Sequence, residues 1–164
     1  MVLMYICTEA RNKELRLAKL NDLDLGRWEI YLEHVKGEDT YGHPRTVPVP
    51  EVIKPLISDY LITRQFWLMK NQITSDTLFF AFNKGHGPMS GNSVRKTKKM
   101  IEEELKVKFE LRDCRRAFGQ HYLNNGVPVD DVSVLMGHSS TKTTEGYYCW
   151  KREEDAIKAV KNKW

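Results

Sequence analysis

The residues able to do chemistry fall in three separated passages. The first is Thr8-Glu9-Ala10-Arg11-Asn12-Lys13-Glu14-Leu15 and the second is Arg112-Asp113-Cys114-Arg115-Arg116-Ala117-Phe118. The third runs Leu135-Met136-Gly137-His138-Ser139-Ser140-Thr141-Lys142-Thr143-Thr144-Glu145-Gly146-Tyr147. They offer guanidiniums, an imidazole and a phenol. A phosphodiester is anionic and gains charge as a nucleophile adds, so two guanidiniums aimed at its non-bridging oxygens stabilise the transition state through paired hydrogen bonds. A phenol, with a pKa near ~10, must lose its proton to attack, and the departing oxygen must gain one. Such a site therefore needs proton donors and acceptors as well as positive charge. The chain shows no Gly-rich phosphate loop, no metal-ligand spacing and no nucleotide motif.

In their order and combination these passages resemble the tyrosine recombinases, the lambda-integrase-like family. In that family an Arg precedes Glu-Leu in the first motif, a second Arg ends an H-x-x-R motif, and Leu-x-Gly-His precedes a Tyr nucleophile. From Arg115 through Phe118, Asn125-Gly126 and Gly137-His138 to Tyr147 the pattern fits without insertion or deletion, and the resemblance covers essentially the whole chain. It implies covalent DNA cleavage by Tyr147, with Arg11 and Arg115 holding the phosphate. It further implies that Lys36, in a turn between two strands, protonates the leaving oxygen, and that His138 hydrogen-bonds the phosphate and assists the tyrosine. Tyr148 follows directly, but the spacing from His138 selects Tyr147. One departure is plain: Arg112 stands where the family has the His of H-x-x-R. A guanidinium can hold phosphate but accepts protons poorly, so deprotonation falls to His138 or to water.

Any one of these side chains has an ordinary explanation. A lone arginine on a helix is by default a solvated charge, His138 could merely end a helix beside Gly137, and a tyrosine is usually a packing residue with a wet hydroxyl. It is the joint pattern that reverses this. Glu14, three residues after Arg11, is expected to orient that arginine, the alternative being an exposed helix carboxylate. His121, six positions past Arg115, is expected outside the site.

The elements that must position these residues can be read from periodicity. Val2, Leu3, Tyr5 and Ile6, then Leu15, Leu17 and Leu20, suggest two helical stretches with Arg11 at the start of the second. From Leu23 to Val35 the apolar residues approach a period of two, and Thr46, Val47 and Val49 form another β-prone run. Lys36 to Pro44 carries the Gly and Pro of a turn between them, which predicts a small antiparallel sheet. Helices are expected over Val52 to Met69, from a Ser90-Gly91-Asn92-Ser93 cap through Leu105, from Arg112 to Leu123, from Pro128 to near Gly137, and from Glu153 to Val160. Leu78-Phe79-Phe80-Ala81-Phe82 reads as a buried turn or short strand. The fold class is mainly α with a small antiparallel β-sheet (α+β), the architecture that the resemblance implies for a recombinase catalytic domain.

At 164 residues with 41% hydrophobic content, the chain is long enough to bury a core and reads as a single catalytic domain, residues 1–164. The 26 basic against 22 acidic residues give a net charge of +4, a mild bias that suits a polyanionic partner without requiring one. Lys84, Arg95, Lys96, Lys98 and Lys99 could contact phosphates across a duplex, or could form a solvated face. The odd, widely spaced Cys7, Cys114 and Cys149 give no disulfide framework, and no segment reads as a signal peptide or membrane span, so a soluble, cytoplasmic protein is expected.

The resemblance implies double-stranded DNA as partner, a homo-tetramer on two duplexes, a monomer for the isolated domain, and no cofactor. It also implies an N-terminal DNA-clamping domain ahead of the first motif, which is expected to be absent from this chain. Two rival readings are a degenerate recombinase and a non-catalytic regulator, since Val127 to Tyr147 has the short-helix, Gly-turn, short-helix texture of a helix-turn-helix. The tail from Trp150 to Trp164, with Ile157 and Val160 on an apolar face, could pack at home or reach a neighbour.

Overall fold

A computed structural model describes residues 1–34, 43–82, 86–138 and 140–148, together with residues 157, 160 and 161. Two short helices open the chain: α1 (Val2–Thr8) and α2 (Asn12–Leu17). Glu9 ends α1 in the left-handed conformation, φ 59°, which turns the chain sharply and brings both helices onto one core. The second helix stops at Leu17, and Leu20 enters a 3-10 turn, Leu20–Asp22.

The run from Leu23 to Val35 is not one strand. It divides into β1 (Leu23–Asp24) and β2 (Glu29–Leu32), with β3 (Arg45–Pro48) completing an antiparallel sheet in the order β1-β2-β3. The break has a local cause. The Asp24 carboxylate accepts the backbone N–H groups of Gly26 and Arg27, at 2.8 and 2.9 Å, and Trp28 takes a left-handed φ of 55°. Leu25, counted with the apolar face, is consequently exposed. In β2 the inward residues are Ile30 and Leu32; in β3 Val47 points inward, and so does Arg45, two positions earlier. Pro48 is tolerated because β3 is an edge strand.

Beyond a 3-10 turn, Glu51–Ile53, the long helix α3 (Lys54–Lys70) packs Ile57 and Leu68 inward while leaving Leu56, Ile62, Phe66 and Met69 exposed. Leu78, Phe79 and Phe80 are buried in an irregular segment held to α3 by Tyr60, whose hydroxyl donates to the Leu78 carbonyl at 2.7 Å, and by buried Arg64. Helix α4 (Gly91–Leu105) starts at Ser90, whose hydroxyl accepts the Ser93 N–H at 3.1 Å, the expected cap. Helices α5 (Leu111–Asn124), α6 (Val129–Leu135) and α7 (Thr141–Tyr148) complete the described elements. The Glu153–Val160 helix expected from sequence lies largely outside the described residues; Ile157 and Val160 are helical and exposed. None of the helices of the described residues is long and apolar enough to cross a membrane.

One core joins Met4 and Tyr5 of α1, Leu15 of α2, the inward faces of the sheet, Ile57 of α3, Val94 of α4 and Cys114 of α5. A smaller cluster of Phe118, Val132 and Met136 ties α5 to α6, and Leu135 packs against both. Two turns depend on glycine: Gly126 after α5, φ 81°, and Gly137 after α6, φ 60°. They differ in surroundings. A Cβ on Gly126 would meet open space, whereas one on Gly137 would lie 3.1 Å from Arg45 Nη1. Gly137→Ala should therefore lose more stability in urea denaturation than Gly126→Ala, with left-handed strain of roughly 1–2 kcal/mol common to both. Equal losses would mean that Arg45 yields to the added methyl.

Candidate active site

The site is assembled where α1 ends, α2 begins, β3 passes beneath and α5 meets the turn after α6. Arg11 caps α2, and Glu14 folds back on it: the Arg11 N–H donates to Glu14 Oε2 at 2.7 Å and its Nη1 donates to Oε1 at 2.8 Å. Glu14 is thus no exposed helix carboxylate. Its side chain is fully buried, as is that of Glu9. Arg45, reaching inward from β3, lies between these acids. Its Nη2 donates to Glu9 Oε2 at 3.0 Å and to Glu14 Oε2 at 3.1 Å, while Nη1 donates to Glu14 Oε1 at 3.2 Å.

The other oxygen of Glu9 pairs with Nη1 of Arg115, one turn into α5. Arg115 Nη2 donates to the Met136 carbonyl at 2.5 Å and meets His138 Nε2 at 3.1 Å. A guanidinium can only donate, so Nε2 is the acceptor and the ring proton sits on Nδ1. Nδ1 in turn donates to Oγ1 of buried Thr144 on α7, at 2.8 Å. The result is a continuous chain, Arg11–Glu14–Arg45–Glu9–Arg115–His138–Thr144, drawn from six elements and turns.

Its electrostatics follow from burial and charge order. Three guanidiniums face two carboxyl groups, which leaves at least one positive charge in excess. Burial opposes ionisation of Glu14, but hydrogen bonds from Arg45 and Arg11 outweigh it and hold the carboxyl below its usual range. Glu9 is pushed up to about 8 by burial, against the pull of Arg115, Arg45 and Arg11. Arg45 is held above the ordinary arginine value, its carboxylate partners overcoming its own desolvation. Burial and the repulsion of Arg115, Arg11 and Arg45 depress His138 to about 4, so the ring is neutral at physiological pH. Arg11 and Arg115 are the members open to solvent, at 27% and 14% side-chain exposure. Among the described residues Arg11 spends only Nη1 of its side-chain donors on the protein. The arrangement can receive an anion.

The sequence-derived residues divide accordingly. Arg11, Arg115 and His138 come together. Arg112 is exposed, one turn before Arg115 on the same helix, and its side chain makes no hydrogen bond or ion pair among the described residues. Tyr147 lies on α7, one turn beyond Thr144, and its side chain, like that of Tyr148, is outside the described residues. Lys36 and Lys84 also lie outside them. His121 is exposed and lines an apolar pocket with Phe118 and Tyr122 instead. The basic surface on α4 proves mixed: Lys98 pairs with Glu102 and Glu110, and Lys99 with Glu103. Sequence reasoning missed Glu9, Arg45 and Thr144. For Arg45 a signal was present, since an alternating strand that buries Val47 must also turn residue 45 inward.

The model of the phage integrase family matches residues 1–154. The chain belongs to that family. It is similar to tyrosine recombinase XerC of Lactobacillus leichmannii, 29% identical over 148 residues, and to tyrosine recombinase XerA of Pyrococcus furiosus, 26% identical over 149. Each alignment covers 89% of this chain and 48% of the relative, so the chain spans about half the length of the curated relatives it matches. Among solved structures, a XerA recombinase superposes with a TM-score of 0.73 at 19% identity, covering 96% of this chain and 54% of that one. A XerH site-specific recombinase bound to palindromic difH substrate, in a post-cleavage complex, gives 0.74 at 19% identity, covering 99% and 44%. The mainly helical fold with a three-stranded antiparallel sheet is the one those structures share.

The His138 environment makes a pH prediction. With a folded pKa near 4 against an ordinary 6.5, the unfolded chain binds the additional proton between those values, so the ring's contribution to stability is present above about 6.5 and is lost as pH falls towards 4. The stability advantage of wild type over His138→Asn should therefore shrink over that interval in paired thermal melts. A constant difference would contradict a half-buried ring held neutral.

Proposed function

We propose that this family member is the catalytic domain, residues 1–164, of a site-specific DNA recombinase that cuts and rejoins strands through a 3′-phosphotyrosine on Tyr147. The observation that carries the reading is the linked set Arg11, Arg115 and His138: two partly open guanidiniums and a neutral imidazole, held by buried carboxylates with net positive charge, beside the helix that bears Tyr147. The names of the relatives and the DNA complexes among the structural neighbours support it.

In this reading the non-bridging oxygens of one phosphate take the free donors of Arg11 together with Nε and Nη2 of Arg115, the latter drawn away from His138. The Tyr147 oxygen attacks phosphorus, the bond to the 5′-oxygen breaks, and that oxygen receives a proton from Lys36. Religation is the reverse, and because the phosphotyrosine conserves the bond, no external energy source is needed. Arg112 adds positive charge but cannot act as base. Proton acceptance from Tyr147 is assigned to His138: a bound phosphate that draws Arg115 Nη2 away frees the Nε2 lone pair, and its charge offsets the cations that depress the ring's basicity. Double-stranded DNA is the partner, a homo-tetramer on two duplexes the working assembly, and the cytoplasm the compartment. The non-catalytic regulator is not favoured, since Thr144 of α7 is turned inward to hold His138.

The test uses a pool of nicked duplexes carrying a randomised window. Wild type should form a detergent-stable, protease-sensitive adduct with DNA, Tyr147→Phe should form none, and Tyr148→Phe should keep it. Arg11→Ala and Arg115→Ala should each slow adduct formation at least roughly tenfold, the scale of losing one charge-stabilising donor set. Failure of wild type to form any adduct, in this chain and in a full-length protein, would refute the reading.

A further inference from the structure

We propose that Arg45 is a positioning residue for the cleavage chemistry: its guanidinium sets the two phosphate-facing arginines and the His138 turn in one fixed relation. The inference rests on the reading that Arg11, Arg115 and His138 engage the phosphate, and it goes beyond that reading by naming what holds them.

Four observations converge on this one side chain. It has 8% side-chain exposure and emerges on the inward face of β3, where alternation would place an apolar residue. It is the sole cation in contact with both buried carboxylates among the described residues, and each carboxylate uses its remaining capacity on one outer arginine: Glu14 on Arg11, Glu9 on Arg115. Its Nε donates to the Leu135 carbonyl at 2.7 Å, at the end of α6 and three residues before His138. Its guanidinium and Cδ also lie 3.1 to 3.2 Å from where a Cβ on Gly137 would stand, so it occupies the space that this left-handed turn leaves free.

A structural ion pair would need only one of these contacts. Here one planar fork spends its donors on three elements at once, a task suited to arginine and unsuited to the single nitrogen of lysine. Without it, two buried carboxylates would face each other with only Arg11 and Arg115 to neutralise them. Each acid would then draw its own arginine inward, away from a phosphate.

The experiment compares wild type, Arg45→Lys and Arg45→Gln in two assays. In single-turnover cleavage of the nicked duplexes recovered from the pool above, Arg45→Gln should lower the rate constant about tenfold or more while DNA affinity stays within about twofold, the size expected for loss of a group that orients the reacting ones. In nitrogen-15 NMR of the histidine rings, read without DNA, the His138 pKa should rise by about one unit or more in Arg45→Gln and by less in Arg45→Lys, which keeps the charge and loses the fork. Should wild type form no adduct, the recombinase reading fails, and the ring titration still judges Arg45. A folded Arg45→Gln with an unchanged His138 titration would overturn the proposal, as would a wild-type cleavage rate in that variant. If Arg45→Gln does not fold, Arg45→Lys decides by the same readouts, and wild-type values in both would overturn it.

Discussion

Two carboxylates with no exposed side-chain surface, Glu9 and Glu14, impose the constraint on which this domain is built. Removing an ion from water costs several kcal/mol even after relaxation, and the cost is recovered only where opposite charge and good hydrogen bonds surround it. Three arginines supply both. Because the carboxylates are fixed by short helices, the orientation of each guanidinium follows from theirs. An outward-facing, preorganised pair of cations is thus a consequence of satisfying buried anions, and the protein need not hold long, mobile side chains in place by packing alone.

Local structure cooperates at each end of this chain of charges. The left-handed Glu9 ends α1 and reverses the backbone, and its carboxylate meets Arg45 of β3 and Arg115 of α5. Arg11 begins the next helix in an extended conformation, which leaves its N–H for Glu14. At the far end the turn at Gly137 delivers His138 between Arg115 and Thr144, and the direction of those hydrogen bonds decides the tautomer. Burial, and then the three cations near the ring, keep it uncharged.

Much of this was legible in the sequence, and the exceptions have physical causes. Arg11, Arg115 and His138 stand out because their neighbours form recognisable short motifs, and Ser90 announces α4 because a capping hydroxyl acts within three residues. Glu9 stands out in nothing local, and Arg45 only through its alternation with Val47. Their burial depends on partners contributed by other elements, so at the level of sequence one reads as a strand-end charge and the other as a turn acid. The division of β1 from β2 was written in Asp24-Leu25-Gly26, yet the apolar alternation through Leu25 outweighed that turn chemistry. On α3 the apolar spacing identified the helix, yet of its apolar residues Leu56, Ile62, Phe66 and Met69 remain exposed. The α4 lysines looked like a basic surface because their acidic partners stand four or more residues away.

The charged chain has one further property, which lies in the distances along the sequence that it spans. Glu9 and Arg115 meet across 106 residues, Arg45 and Leu135 across 90. Contacts of such separation form late, after loop closure has been overcome, while short helices such as α1 and α2 can form early. A growing chain therefore carries Glu9, Arg11 and Glu14 long before Arg115 and His138 exist to complete the arrangement. The cluster of charges is a product of finished folding, and its outward-facing cations are set in place only once both ends of the domain have met.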